Sequence, residues 1–330
     1  MIVNFLGMDY PVVAFIGIMA AFAATCLLLS GLSRFLPRDH GREFAHDGKL
    51  SEGKPRGAGI IFILVFAFSA FLFAAMDMEI MIYLALVVAE MFTGYFDDAA
   101  DKAWGEYKKG VLDLLIAAAT AVTFLHYNSN VITIASLGMQ VEIMKPVYGV
   151  LIVILVWVSI NVTNCADGVD GLSGTLAIIT LSSLYVVDRM AGISGEFSYV
   201  MLLFIVCILG YLWYNAAPSN LMMGDAGSRA MGIFISIAAL KTGMPLLYIP
   251  AAFMLILDGG LGLFKVFLLR FLNIHVLKNT HLPVHDHVRR AKGWSNTQTV
   301  FRFAIIQIVI AIAMVALLLC QEGVQITLRG

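Results

Sequence analysis

Apolar runs recur along this chain at a length that water-soluble folds rarely use. A bilayer's hydrocarbon core needs roughly 20 consecutive apolar residues per helix. Runs of about that length are read at 11–36, 57–77, 79–96, 110–126, 146–161, 171–188, 198–216, 226–241, 245–272 and 299–320. Composition agrees: 60% of the 330 residues are hydrophobic and 13% charged, where a soluble domain carries about a quarter charged. Lipid must solvate part of such a surface, and in lipid a chain with these runs satisfies its backbone as helices. The pattern predicts an all-α polytopic membrane protein with about ten transmembrane helices, residues 1–330 forming one domain. A net charge of −1 and the absence of a basic tail leave no nucleic-acid reading. Cys26, Cys165, Cys207 and Cys320 lie far apart without a CxxC pair, so neither a disulfide framework nor a zinc site is expected. The first run lacks a basic leader and a small-residue cleavage site, and reads as a retained span.

Lysine and arginine set the orientation. Sixteen of the 21 fall at 33–56, 97–110, 217–229 and 270–302, loops of one parity; they include Arg34, Arg38, Arg42, Lys49, Lys54, Arg56 and Arg229. This side is read as cytoplasmic, with both termini external. On the other side, Asn128-Ser129-Asn130, the alternating 131–134 and the segment 137–143 read either as a small external β-hairpin or as a loop against the headgroups.

The polar chemistry gathers on the basic side. Asp97-Asp98 end the third run, where adjacent carboxylates suit a divalent cation or a phosphate-handling role, or else a solvated helix end. The fifth run enters Asn161, Asn164, Asp167, Gly168, Asp170 and Gly171, amides and carboxylates with glycines that admit close backbone approach. Gly224-Asp225-Ala226-Gly227-Ser228 open the eighth run, placing a carboxylate beside unpaired helix N–H groups; that fits a metal with a phosphate, or a plain N-cap. The last loop carries His281, His285 and His287, then Arg289, Arg290 and Lys292. The histidine spacing permits zinc, while the cations beside it favour an anionic substrate. If the aspartates and this basic segment converge in the fold, they form a magnesium-dependent phosphoryl-transfer centre.

Asp97-Asp98, NxxNxxDGxDGL at 161–172, MGDxGS at 223–228, and PxHxH followed by KGW at 283–294 resemble the polyprenyl-phosphate N-acetylhexosamine-1-phosphate transferase superfamily. The His281–Trp294 segment looks most like its phospho-N-acetylmuramoyl-pentapeptide transferase branch. The resemblance implies transfer of phospho-N-acetylmuramoyl-pentapeptide from its UDP donor (UDP-MurNAc-pentapeptide) to undecaprenyl phosphate in a bacterial inner membrane. UMP leaves and the first lipid intermediate of peptidoglycan synthesis forms. It also implies Mg²⁺ as cofactor, a cytoplasmic site and a homodimer. Carried over by position, Asp225 is the Mg²⁺ ligand, Asp97 and Asp98 lie beside it, and Asp97 takes the lipid phosphate's proton. Asn164, Asp167, Gly168 and Asp170 match donor-binding or catalytic positions, and Asn215 matches a uridine-pocket asparagine. His285, among the catalytic positions, and His287 match a histidine motif near the diphosphate. Lys54 and Arg289 complete the substrate-binding set. Asp286 stands where the branch commonly has a middle histidine, and Met222 where it tends to place a uracil-stacking aromatic.

Two other readings of the same residues stand beside this one. UDP-N-acetylglucosamine would make the chain a sister sugar-phosphate transferase. An ion-coupled transporter would place its carboxylates near the midplane of related repeats, and no repeat is visible here. Asp258 and Lys265, seven apart in the ninth run, are expected to share a helix face as a structural ion pair.

Overall fold

The computed structural model describes residues 10–39, 41, 51–100, 102, 104–193, 195–275 and 280–329, the last nine by backbone alone. The helices are α1 (Tyr10–Leu32), α2 (Gly59–Phe73), α3 (Met78–Asp98), α4 (Glu106–Tyr127), α5 (Lys145–Cys165), α6 (Leu172–Ala191), α7 (Glu196–Asn215) and α8 (Gly224–Lys241). Then follow α9 (Pro245–Ala251), α10 (Phe253–Leu272), α11 (Val284–Lys292) and α12 (Asn296–Arg329). Among the described residues, seven helices are long and apolar enough to cross a bilayer, and the bent pair α9–α10 is an eighth candidate. The fold is therefore an all-α, multi-pass membrane architecture. Two runs counted as spans in the sequence differ: α2 has 15 residues, and α8 carries Asp225, Arg229 and Lys241.

The charge on α8 is possible because α8 is the central helix. All of Gly224–Leu240 is buried. Lipid gives little hydrophobic drive for helix association, so close approach of small residues takes its place. Gly227 meets Gly59 of α2, Gly232 meets the α5 backbone at Ser159 and Ile160, and Gly94 of α3 lies against the backbone of Asp225. Arg229, counted in the sequence with the cytoplasmic loop charges, is instead buried in the second turn of α8. Arg42 and Lys49 lie outside the described residues.

The run at 245–272, read as one span, is broken: α9 and α10 meet at 69°. A break frees backbone groups that lipid cannot satisfy. Buried Gln307 of α12 supplies the partners, accepting from Met254 N at 2.8 Å and donating to Pro250 O at 3.1 Å and Ala251 O at 2.8 Å. A π-helical turn follows at Ile256–Gly260. It changes the angular advance, so the face expected for Asp258 and Lys265 does not form their pair. Asp258 binds His285 and Lys265 Nζ donates to Thr280 O.

Val131–Ile134 (β1) and Met139–Glu142 (β2) pair antiparallel, Val131 opposite Glu142 and Ile134 opposite Met139. This is the hairpin reading of that segment. Thr133 N donates to Gly243 O, just past the C-terminus of α8. Asp225 sits at the other end of that 18-residue helix, about 27 Å away at 1.5 Å per residue. Hairpin and acidic cluster therefore occupy opposite ends of the bundle. Cysteine-accessibility labelling is expected to reach a position near Trp294 from the cytoplasm and one near Ser129 from outside. Labelling of Trp294 from outside would invert this orientation. Gly48, a third suitable position, lies outside the described residues.

Candidate active site

Three helix ends converge at the acidic end of α8. Asp97 and Asp98 close α3, Lys109 lies in the first turn of α4, and Asp225 in the first turn of α8. The α8 N-cap is Met223, so Asp225 is a first-turn carboxylate rather than a cap. Its position uses the positive end of the helix dipole to stabilise negative charge. The chain before α2 runs beside the chain before α8: Met222 N donates to Pro55 O at 2.8 Å, and Ala58 N to Met222 O at 3.0 Å. That pairing delivers Arg56. Gly224 completes the junction, since its φ of 67° suits glycine and a Cβ there would strike the Asp98 carboxylate.

The carboxylates are interleaved with cations. Arg56 Nη2 lies 2.9 Å from Asp98 Oδ1 and 3.5 Å from Asp225 Oδ1, and Nη1 lies 3.5 Å from Asp39 Oδ1. Burial opposes the Arg56 charge, but Asp98, Asp225, Asp39 and Asp97 outweigh it and hold the guanidinium above its ordinary pKa. Lys109 Nζ bridges Asp97 Oδ2 and Asp225 Oδ2, the latter at 3.4 Å. Asp97 Oδ1 also accepts from Trp104 N at 2.6 Å, and Asp98 Oδ2 from Ala226 N at 3.3 Å. Both α3 carboxylates are buried, so the solvated-helix-end reading does not hold.

The 161–172 segment wraps this cluster. Asn164 Nδ2 donates to Ser228 Oγ at 3.0 Å, and Asp167 Oδ1 accepts from Ser173 Oγ at 2.5 Å. Asp170 Oδ2 accepts from Ser219 N at 3.1 Å and lies 3.8 Å from Lys54 Nζ, which also reaches Ser219 Oγ at 3.0 Å. Asn215 is buried with both ends of its amide engaged, Oδ1 to Gly171 N at 2.8 Å and Nδ2 to Leu221 O at 2.9 Å. It braces two loops of the site.

α11 brings the histidine motif to the same surface. Asp258, in the π turn, accepts from His285 N and faces His285 Nδ1, both at 2.7 Å. A carboxylate at Nδ1 fixes the orientation of the ring, and Nε2 lies 3.9 Å from Asp286 Oδ1. Nε2 points at the backbone of Gly168, where a Cβ would collide with the ring. Arg289 Nη1 lies 3.6 Å from Asp286 Oδ1, and the His281 and His287 rings stack at 6.2 Å. The site residues read from the sequence fall at this end: Asp97, Asp98 and Asp225 in one group; Lys54 and Asp170 in a second; Gly168, His285, His287 and Arg289 in a third; and Asp167, Asn215 and Met222 in the loops that brace them. Asn164 joins the 161–172 segment to α8 beside the first group.

Two partners, Arg56 and Lys109, were not singled out in the sequence, and a third was given the wrong partner. Arg56 and Lys109 counted only toward topology, although each basic residue adjoins a helix start on the acidic side. Asp258 was assigned to the wrong partner.

The donor set can be tested against a divalent ion. Asp97, Asp98 and Asp225 present only carboxylate oxygens, the donors that magnesium prefers. An ammonium already bridges two of these carboxylates, so the geometry accepts a cation between them. Among the described residues, no three His, Cys, Asp or Glu groups converge as a ready cage.

Comparison with known sequences matches residues 79–243 to the glycosyl transferase family 4 description. It also finds the phospho-N-acetylmuramoyl-pentapeptide-transferase of Treponema pallidum (strain Nichols), 37% identical and covering 94% of this chain and 90% of that protein. The chain belongs to glycosyl transferase family 4, in the phospho-N-acetylmuramoyl-pentapeptide transferase branch. Proteins of the same printed name from Rubrobacter xylanophilus and Symbiobacterium thermophilum are 26% and 27% identical, covering 88% and 76% of this chain and 93% and 78% of those proteins. The family 4 match contains Asp97, Asp98, Lys109, Asn164, Asp167, Asp170, Asn215 and Asp225. The histidine helix lies beyond it, within the longer similarity to the Treponema protein.

Proposed function

We propose that this chain transfers phospho-N-acetylmuramoyl-pentapeptide from its UDP donor to undecaprenyl phosphate, releasing UMP, as one integral domain of a bacterial inner membrane with its site facing the cytoplasm. The observation that carries the reading is the buried Asp97–Asp98–Asp225 group interleaved with Arg56 and Lys109 at a bundle end. Phosphoryl transfer is catalysed mainly by positioning and by neutralising charge on the moving group. An oxygen of the lipid phosphate attacks the sugar-bearing phosphorus of the donor, and the bond to UMP breaks.

Asp225, with Asp97 and Asp98 beside it, would hold Mg²⁺, which when bound supplies charge neutralisation at the diphosphate. Asp97 would accept the proton of the incoming lipid phosphate. Lys109, between Asp97 and Asp225, would hold the two carboxylates in place. Arg56 would remain a fixed cation beside the leaving phosphate. Lys54, Asn164, Asp167, Asp170 and Met222 would receive the nucleoside end, with Asn215 bracing their loops. His285, packed on Gly168, would position that loop beside the donor diphosphate with His287 and Arg289 alongside, leaving the peptide to extend into water.

A donor panel tests the assignment. With undecaprenyl phosphate and Mg²⁺, UDP-N-acetylmuramoyl-pentapeptide is expected to release UMP at least about 100-fold faster than UDP-N-acetylglucosamine, a ratio that loss of site-matched polar contacts can produce. Faster turnover of UDP-N-acetylglucosamine would replace the donor while keeping the reaction. No UMP from either donor would remove the transferase reading.

A further inference from the structure

A second charged layer lies one to two helical turns deeper than the site, on the same three helices. Arg229 Nε donates to Glu90 Oε1 at 3.0 Å, and Arg229 Nη2 donates to Asp113 Oδ1. Asn161, first residue of the 161–172 motif, completes it by donating Nδ2 to Asp113 Oδ2 at 3.1 Å. Relative exposure is 0% for Glu90, 0% for Asp113 and 3% for Arg229. Nothing in the proposed transfer uses these four residues.

Their register is what connects them to the reaction. Asp225 and Arg229 are four apart on α8, Lys109 and Asp113 four apart on α4, and Glu90 and Asp97 seven apart on α3. Each pair therefore shares a helix face, one group at the site and the other beneath it. The upper contacts, Lys109 to Asp97 and Asp225, join the same three helices as the lower contacts, Arg229 to Glu90 and Asp113. Lysine is a flexible tether, whereas a guanidinium is a rigid planar fork that fixes two carboxylates in direction as well as distance. Burying a guanidinium with two carboxylates is costly, and apolar residues of similar volume stabilise a core as well or better. Stability alone does not account for the layer.

We propose that Arg229, with Glu90, Asp113 and Asn161, is a positioning device that sets the rotation and separation of α3, α4 and α8, and so brings Asp97, Lys109 and Asp225 into working register. The proposal rests on the phosphoryl-transfer reading of the site above.

The test compares the wild type with the charge-free triple variant Glu90→Gln/Asp113→Asn/Arg229→Met, and with Asp113→Asn and Asp113→Leu singly. The readouts are Tm in detergent, the Mg²⁺-dependent rise in Tm without substrate, and kcat with KM for the UDP donor. The triple variant is expected to melt within about 4 °C of wild type. It should lose the Mg²⁺-dependent rise and about 100-fold in kcat, the scale of a 1 Å misplacement. Its donor KM should change less than about threefold, because uniform binding is untouched. Asp113→Asn, which keeps an acceptor for Arg229, should keep most of kcat where Asp113→Leu does not. A folded triple variant with near wild-type kcat and Mg²⁺ response overturns the proposal. So does a triple variant that fails to fold, since the layer would then be a stability element. If the wild type itself releases no UMP, the transferase reading fails and the Mg²⁺ response alone decides the positioning role.

Discussion

Asp225→Asn is expected to lower kcat by about 10³-fold, the scale seen when one preorganised electrostatic group is removed from a reacting centre. Three observations set that expectation. Asp225 is a first-turn residue of α8, where the helix dipole favours negative charge. Its two oxygens face different cations, Oδ1 toward Arg56 at 3.5 Å and Oδ2 toward Lys109 at 3.4 Å. An amide of the same shape keeps the packing but is a poor ligand for a hard divalent ion. Thermal unfolding should therefore stay close to wild type while the Mg²⁺-dependent shift in Tm disappears. Wild-type turnover in the variant would leave the carboxylate with a structural task only.

Gly94→Val should produce the second large effect, by a different route. Gly94 lies on α3 one turn before Asp97 and Asp98, and a Cβ there would overlap the backbone of Asp225. The obstruction is main chain, so no side-chain rotation relieves it. α3 must move away from α8, or the helix pair must strain. Overpacking of this kind costs about 1–3 kcal/mol or more. The displacement acts directly on the separation of Asp97 from Asp225, so kcat should fall by about 10²-fold or more in whatever protein remains folded. A Gly94→Ala variant should show the same signs with smaller size. Unchanged kcat in folded Gly94→Val would mean that the Asp97–Asp225 spacing does not limit the reaction.

The helical course and the acidic end of the bundle were legible because both follow from the cost of polar groups in lipid. A carboxylate or amide near hydrocarbon needs a reason, so Asp97, Asp98, Asn164, Asp167, Asp170 and Asp225 stood out and were placed together. Cations carried less information. Arg56, Lys109 and Arg229 were read through the positive-inside pattern, which treats a basic residue as a topological marker whatever it touches. In the structure all three are bound to carboxylates, and Arg229 is deep inside the bundle. The spacing of Lys109 to Asp113 and of Asp225 to Arg229 held a usable signal, since four-residue offsets place charges on one face. The break before Phe253 was hidden for another reason. Residues 245–272 are apolar on both sides of the bend, and hydropathy does not register a change of direction. Asp258 then appeared to belong with Lys265 because the spacing argument assumes uninterrupted α-helical winding.

The amide of Gln307 has a consequence for the last span. A lipid-facing hydrophobic helix is ordinarily an interchangeable anchor, and another of equal length can take its place. Here one side chain from α12 completes the main chain across the α9–α10 break at Pro250, Ala251 and Met254. A grafted polyleucine segment would still insert but would leave three backbone groups stranded in hydrocarbon. The chain would then have to straighten the elbow between α9 and α10, or draw water to it, and the carboxylate that grips His285 lies six residues beyond that elbow. α12 is therefore a joint of the machine rather than a mooring.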